Sequence, residues 1–290
     1  MKKNIIFLLT TLSFTGICAQ QIDKHFVENT RIVSEYFHSV QDVTSPNELM
    51  VKAALSLLGT PYVGHALEGN REEQLVINLL ELDCVTFVEN CLALTRAAQY
   101  PYPDYENFVR QLQNIRYRSG HINGYTSRLH YTSDWIADNV DMGIIENITQ
   151  ALGGKDFQPN VGFMSANPER YPALKDNPTN AEIIKGIEQT INQRNIYYYI
   201  PKTEIEDNQA LIQSGDIIGF TTSTKGMDIS HVGMAYWDND RLSFIHASSQ
   251  YMKVVIEPQS LADYCKGVRT NTGIVVLRPK NNSDTVHNNH

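Results

Sequence analysis

The sequence predicts an α+β fold. Apolar residues recur at helical spacing through the first hundred residues, while short Val-, Ile- and aromatic-rich runs crowd the C-terminal third. Between two of those runs stands a hairpin turn, Asp238-Asn239-Asp240, so helices precede an antiparallel sheet.

Residues 1–19 read as an export leader. Lys2 and Lys3 give a basic start, Ile5 to Leu12 an apolar core, and Cys18-Ala19 a small-residue exit before Gln20. The apolar core is shorter than the roughly 18 residues a membrane span needs, and no later run reaches that length. Ile17 is bulky for lipoprotein processing, so the expectation is secretion to the periplasm rather than lipid anchoring at Cys18. The body, 20–280, reads as a single domain, followed by a polar tail at 281–290.

Residues 22–58 carry helical signals, with Thr44-Ser45-Pro46-Asn47-Glu48 as a cap-like start and Leu49, Ala53, Leu57 and Leu58 as an apolar stripe. Gly59-Thr60-Pro61-Tyr62-Val63-Gly64 then breaks the helix. A second helix is expected from Asp83 towards Ala98, before Pro101 and Pro103. The stretch of about 104–195 reads as a large insert. Within it, 116–135 is rich in Arg, His and Tyr, and 153–180, holding Pro159, Pro168, Pro172 and Pro178, reads as a surface excursion. Strands are expected at Ile196 to Ile200, Ile217 to Thr221, His231 to Trp237, Leu242 to Ala247, Val254 to Ile256 and Gly273 to Leu277.

The chain has 24 basic and 32 acidic residues, a net charge of −8. Loss of Lys2 and Lys3 with the leader makes the remainder more acidic. Phosphate binding needs clustered cations, and no such run occurs, so nucleic acid is not an expected partner. No obligate protein partner is evident either. Cys84, Cys91 and Cys265 remain after the leader, an odd number for an exported chain. A Cys91–Cys265 pair would leave Cys84 over; three reduced thiols is the other arrangement.

Cys84 is the candidate nucleophile. Asp83 is a favourable N-cap, which places Cys84 at the first helical position. There the unpaired backbone N–H groups and the positive helix end favour a thiolate, and the same groups can face an oxyanion. His231 and His246 lie on the two strands flanking the Asp238-Asn239-Asp240 turn. If the loop is Asp238-Asn239, the two rings stand directly opposite; if it is Asn239-Asp240, they are diagonal neighbours on the same face. In either register one ring can accept the thiol proton while the other orients it. Gly233 and Ala235, on the His231 face, are expected to leave room for the Cys84 helix. The three residues could also supply zinc ligands, but neither H-E-x-x-H nor paired C-x-x-C spacing accompanies them, so no metal and no cofactor is expected.

Four blocks in order resemble the NlpC-type cell-wall peptidases, a papain-like superfamily. They are Gly59-Thr60-Pro61-Tyr62, Asp83-Cys84-Val85-Thr86-Phe87-Val88, Ser214-Gly215-Asp216-Ile217-Ile218-Gly219-Phe220 and Ser230-His231-Val232-Gly233-Met234, with His246-Ala247 beyond. The resemblance implies a papain-like α+β fold with Cys84 as nucleophile, His231 as base and His246 as orienting residue. It sets Tyr62 near the oxyanion or scissile carbonyl, and Asp83 and Ser230 are read with it as oxyanion or substrate-binding residues. The order and the Cys84-to-His231 separation match the roughly 130–150 residues of papain-like enzymes. Val85 departs from the family's serine, which helps position a stem peptide in endopeptidase members. Ser127-Arg128-Leu129-His130-Tyr131-Thr132-Ser133-Asp134-Trp135 resembles an N-acetylmuramoyl-L-alanine amidase-like branch.

That branch implies cleavage between the muramic lactyl group and L-Ala of peptidoglycan fragments (muropeptides). Within the insert, Arg116, Arg118, Arg128 and His130 offer hydrogen-bond donors, and Tyr125, Tyr131 and Trp135 offer flat faces for a sugar. A long insert beside such a site reads as a wall closing one end of the groove, favouring soluble fragments over polymeric wall. The alternatives are a γ-D-glutamyl-diamino acid endopeptidase and a non-catalytic muropeptide-binding module.

Overall fold

The computed structural model describes residues 24–68, 72–194 and 196–282. The leader read at 1–19 and most of the polar tail lie outside them. The chain is a mixed α+β structure in which helices pack on an antiparallel sheet.

The expected helical stretch at 22–58 is two helices, α1 (Lys24–Ser39) and α2 (Pro46–Ser56). Ser45 caps α2 by accepting from Glu48 N, and Pro46 sits where the missing N–H costs nothing. Leu49, Ala53 and Leu57 are buried, whereas Leu58, past the helix end, is 41% exposed. Next come α3 (Cys84–Ala98) and α4 (Tyr105–Arg116). Helix α3 is buried along almost its whole length, its polar Glu89, Asn90, Thr95 and Arg96 included. Phe87, Leu92 and Leu94 are wholly buried. Each such side chain stabilises the fold by about 1.5–3 kcal/mol relative to exposure.

The insert is structured. It holds α5 (Thr132–Asp141), strands β1 (Ile145–Asn147) and β2 (Lys155–Asp156), and helices α6 (Phe163–Ala166), α7 (Pro172–Lys175) and α8 (Pro178–Gln193). The proline-rich 153–180 stretch is therefore more than a surface excursion. Val161, Met164 and Leu174 join Tyr125, Tyr131, Ile184 and Ile191 in an apolar cluster of their own. Pro172 and Pro178 open α7 and α8 rather than excluding them.

The C-terminal third carries β3 (Tyr198–Pro201), α9 (Ile205–Asn208), β4 (Ile217–Thr222), β5 (Ile229–Asp238), β6 (Arg241–Ser248), β7 (Lys253–Ile256), α10 (Leu261–Gly267) and β8 (Asn271–Pro279). The sheet runs β2-β3-β8-β4-β5-β6-β7, with β1 also on β8. Helix α3 shares one apolar core with Val232 and Met234 on one sheet face. Phe220, Ala235, Phe244, Ala262 and Cys265 form a second core on the other, under α10. Contrary to the sequence expectation, the Gly233/Ala235 face does not make room for α3. It meets β6 and α10, and a Cβ on Gly233 would stand 2.8 Å from Phe244 Cδ2 and 3.2 Å from His246 Cβ.

Gly215 and Asp216 have a structural explanation. Gly215 has φ +93°, and a Cβ there would lie 2.3 Å from Asn47 O. Asp216, wholly buried, accepts from Arg278 Nη2 at 2.7 Å, Asn47 Nδ2 at 3.0 Å and Gln213 N at 2.8 Å. One carboxylate thus ties the start of α2 to β4 and β8.

Candidate active site

Asp83 and Thr86 form a reciprocal cap at the start of α3. Asp83 Oδ1 accepts from Thr86 N at 2.8 Å, and Thr86 Oγ1 accepts from Asp83 N at 2.9 Å. Cys84 is the first residue of the helix. Its thiol is favoured as an anion by the backbone N–H groups of Val232, Val85 and Cys84 itself. Val232 is the neighbour of His231 on β5, so the helix tip and the histidine strand meet at this sulfur. Burial, and after it the charge of Asp83, nonetheless push the thiol up to about 12. Cys84, Cys91 and Cys265 are all free thiols.

The hairpin takes the Asn239-Asp240 loop: Asp238 pairs with Arg241 and Met234 with Ile245. Asn239 has φ 55°, a left-handed conformation that asparagine tolerates well. His231 and His246 are therefore diagonal neighbours, and their nitrogens Nε2 and Nδ1 lie 2.7 Å apart with the rings edge to face. Burial, reinforced by the neighbouring His246, holds His231 down to about 3. Burial alone brings His246 to about 4. The resting state these shifts favour is a neutral thiol and neutral imidazoles.

Two residues that sequence reasoning missed complete the cluster. Glu257 follows β7, and its Oε2 lies 3.3 Å from His246 Nε2, with both side chains 2% exposed. The approach is within ion-pair range but off the hydrogen-bonding direction. Tyr264 of α10 sets its ring 6.3 Å from His231 and 5.9 Å from His246. Its hydroxyl feels burial first, then the charges of Glu257 and Cys84, and is pushed up to about 12. Glu257 was readable in principle, because β6 and β7 pair Ile245 with Ile256 and place it diagonal to His246 on the same pattern.

Tyr62 lies on the rim of the cluster. Burial and the nearby charges of Cys84 and Asp83 raise its hydroxyl pKa. Ser230 is exposed, and its Oγ donates to Asn271 Oδ1 at 3.2 Å. The insert residues are held mostly by internal partners. Arg128 is 6% exposed, donates to Glu68 at 2.8 Å, lies 3.2 Å from Glu73 and covers the Tyr125 ring. Arg116 is fully engaged with Glu89 at 2.7 Å and Val76 O at 2.6 Å. Arg118 binds Asp134, and Tyr131 donates to Glu188. His130 packs at a tilt on Tyr125 with Nε2 2.9 Å from Tyr125 O, and burial followed by Arg128 brings it to about 3.

A narrow, mainly apolar cleft opens next to Val85, the residue after Cys84. Val85, Val88 and Glu89 of α3 form one wall, Val232 of β5 another, and Leu129, His130, Thr132 and Trp135 of the insert a third. Insert and α3 thus share one apolar cleft, which Cys84, His231 and His246 do not line.

Residues 52–274 match the sequence model of an AmiA-like family described as N-acetylmuramoyl-L-alanine amidase-like. The crystal structure of an N-acetylmuramoyl-L-alanine amidase from Bacteroides uniformis is 39% identical, with a TM-score of 0.77 over 81% of this chain and 99% of that one. A Bacteroides fragilis protein described as a candidate xylanase is 40% identical, with a TM-score of 0.75 over 79% and 99% of the two chains. A Legionella pneumophila protein of the family DUF1460 shares the fold at 23% identity, with a TM-score of 0.68 over 89% and 98%. No curated protein matches the chain.

Proposed function

The chain belongs to the N-acetylmuramoyl-L-alanine amidase-like family, and from that premise we propose that it is a cysteine amidase. It hydrolyses the amide between N-acetylmuramic acid and L-alanine in peptidoglycan fragments, through a thioester on Cys84. The observation that carries this reading is the position of Cys84 at the tip of α3, against the backbone of Val232, whose chain neighbour His231 meets His246 at 2.7 Å.

The reaction follows from the starting protonation states. A neutral thiol is a poor nucleophile, so its proton passes to His231 as the sulfur attacks the lactyl carbonyl. Backbone N–H groups at the start of α3 and the Tyr62 hydroxyl face the oxyanion. Collapse breaks the C–N bond, and His231 returns the proton to the departing L-Ala amine. His231 next deprotonates water, which attacks the thioester and frees the muramic carboxylate and the Cys84 thiol.

Val85, in place of a stem-positioning serine, supports the amidase over the γ-D-glutamyl endopeptidase. A thiol beside two imidazoles also fits amide chemistry better than glycoside hydrolysis, which uses paired carboxylates across a sugar. We read 20–280 as one papain-like NlpC-type catalytic domain with the insert as a wall of its cleft, favouring soluble muropeptides. The leader at 1–19 sends it to the periplasm.

The test is mass spectrometry of products from a defined disaccharide-tetrapeptide, with wild type and Cys84→Ala. Wild type releases the intact disaccharide and the tetrapeptide; the variant binds the substrate but releases neither. Cleavage at the γ-D-glutamyl bond, or undiminished turnover by Cys84→Ala, sinks the proposal.

A further inference from the structure

We propose that Glu257 is a positioning residue, whose carboxylate decides which nitrogen of His231 is the base. This inference rests on the cysteine-amidase reading above. Glu257 Oε1 accepts from Gln259 N at 3.2 Å and Gln259 Nε2 at 3.3 Å. Oε2 is left facing His246 Nε2, 3.3 Å away in the interior. An ionised carboxylate only accepts, so the proton of the neutral His246 ring belongs on Nε2. His246 Nδ1 is then an acceptor. Its partner 2.7 Å away, His231 Nε2, must donate. The lone pair of His231 is thereby forced onto Nδ1, on the side of the ring away from His246 and available to the thiol.

The opposite tautomer would undo this. A proton on His246 Nδ1 would be donated to His231 Nε2, and the basic lone pair of His231 would point at His246. The carboxylate also acts later. When the thiol proton arrives on His231, the imidazolium lies in a row ending in an interior negative charge, where Coulomb attraction is weakly screened. The other groups facing the two rings are Phe220 and Phe244 of the sheet and Tyr264 of α10; the Tyr264 hydroxyl feels Glu257 and Cys84, and Cys84 in turn interacts with Asp83 and Tyr62.

A purely structural role, securing the turn at 257–259 through Gln259, is the competing explanation. Three variants separate the two. Glu257→Gln keeps the shape and removes the charge. Glu257→Asp keeps the charge and shortens the reach. Gln259→Ala loosens the turn and leaves the imidazoles alone. With the disaccharide-tetrapeptide, Glu257→Gln lowers kcat about tenfold to a hundredfold, with KM changed less than about twofold. It also moves the acid limb of kcat/KM to lower pH, because the charge that favours the imidazolium is gone. Glu257→Asp recovers part of kcat, and Gln259→Ala keeps the wild-type profile.

Ring ¹⁵N shifts of substrate-free wild type place the His246 proton on Nε2, a readout that needs no turnover. Wild-type kcat and acid limb in Glu257→Gln, an equal loss in Gln259→Ala, or a proton on His246 Nδ1 in wild type would each overturn the inference. A wild type without amidase activity strikes the earlier reading instead, and leaves the tautomer measurement standing.

Discussion

Asp83 caps α3 through Thr86 N at 2.8 Å, while its charge sits next to the thiol and raises the thiol's pKa. Capping and charge can be separated, because asparagine caps about as well as aspartate and carries none. In Asp83→Asn the thiolate becomes easier to form, and the midpoint of the pH profile for Cys84 alkylation falls below that of wild type, where burial and then the Asp83 charge raise the thiol. Thermal stability changes by less than about 0.5 kcal/mol, since the hydrogen bond to Thr86 N survives. Alkylation rates of Cys84 across pH, alongside melting curves, check both halves. An unmoved midpoint would mean that Asp83 exerts no field at the sulfur, and that burial alone sets its pKa.

At the scale of elements, α3 is tied to α4 by an ion pair in the interior. Glu89 Oε2 and Arg116 Nε are 2.7 Å apart, each 2% exposed. Removing one partner of such a pair strands the other charge and costs about 3–5 kcal/mol. Arg116→Met is therefore strongly destabilised in urea unfolding, and Glu89→Gln/Arg116→Met recovers much of the loss. An additive double variant would deny the coupling. This pair also marks where sequence reading stopped. The bounds of α3 were legible because Asp83 and the prolines beyond Ala98 are local signals, and β4 to β8 because Val and Ile runs are. The His231–His246 contact was legible to within two registers, since one hairpin loop fixes it. The partners of Arg116 and Arg128 lie in distant segments, so their residue types suggested donors for a ligand while the structure gives them Glu89, Glu68 and Glu73. The face of Gly233 was misread for a related reason: a strand's period of two sorts side chains into faces without saying which layer each face meets.

At the scale of the molecule, three histidines among the described residues bind protons less readily when folded than when unfolded. Burial holds His130 and His231 to about 3 and His246 to about 4, against roughly 6.5 in an unfolded chain. Above about pH 6.5 all three are neutral in both states and contribute nothing to pH dependence. Below it the unfolded chain takes up protons that the native site refuses, so stability falls as pH drops from about 6.5 towards the folded values. Carboxylates work against this. Glu73, Glu89, Asp138 and Asp228 are raised, chiefly by burial, so the native state holds their protons more tightly and gains stability on acidification. The histidine contribution is thus isolated by difference. His130, which packs on Tyr125 apart from the His231–His246 pair, is the residue to change. Urea unfolding at pH 7 and pH 5 shows a smaller acid-induced loss in His130→Gln than in wild type, by up to about 1.4 kcal/mol for each pH unit that the window spans. Equal losses in the two proteins would place the acid sensitivity elsewhere, in a native state that accepts a proton on His130 without opening the cleft wall it helps to form.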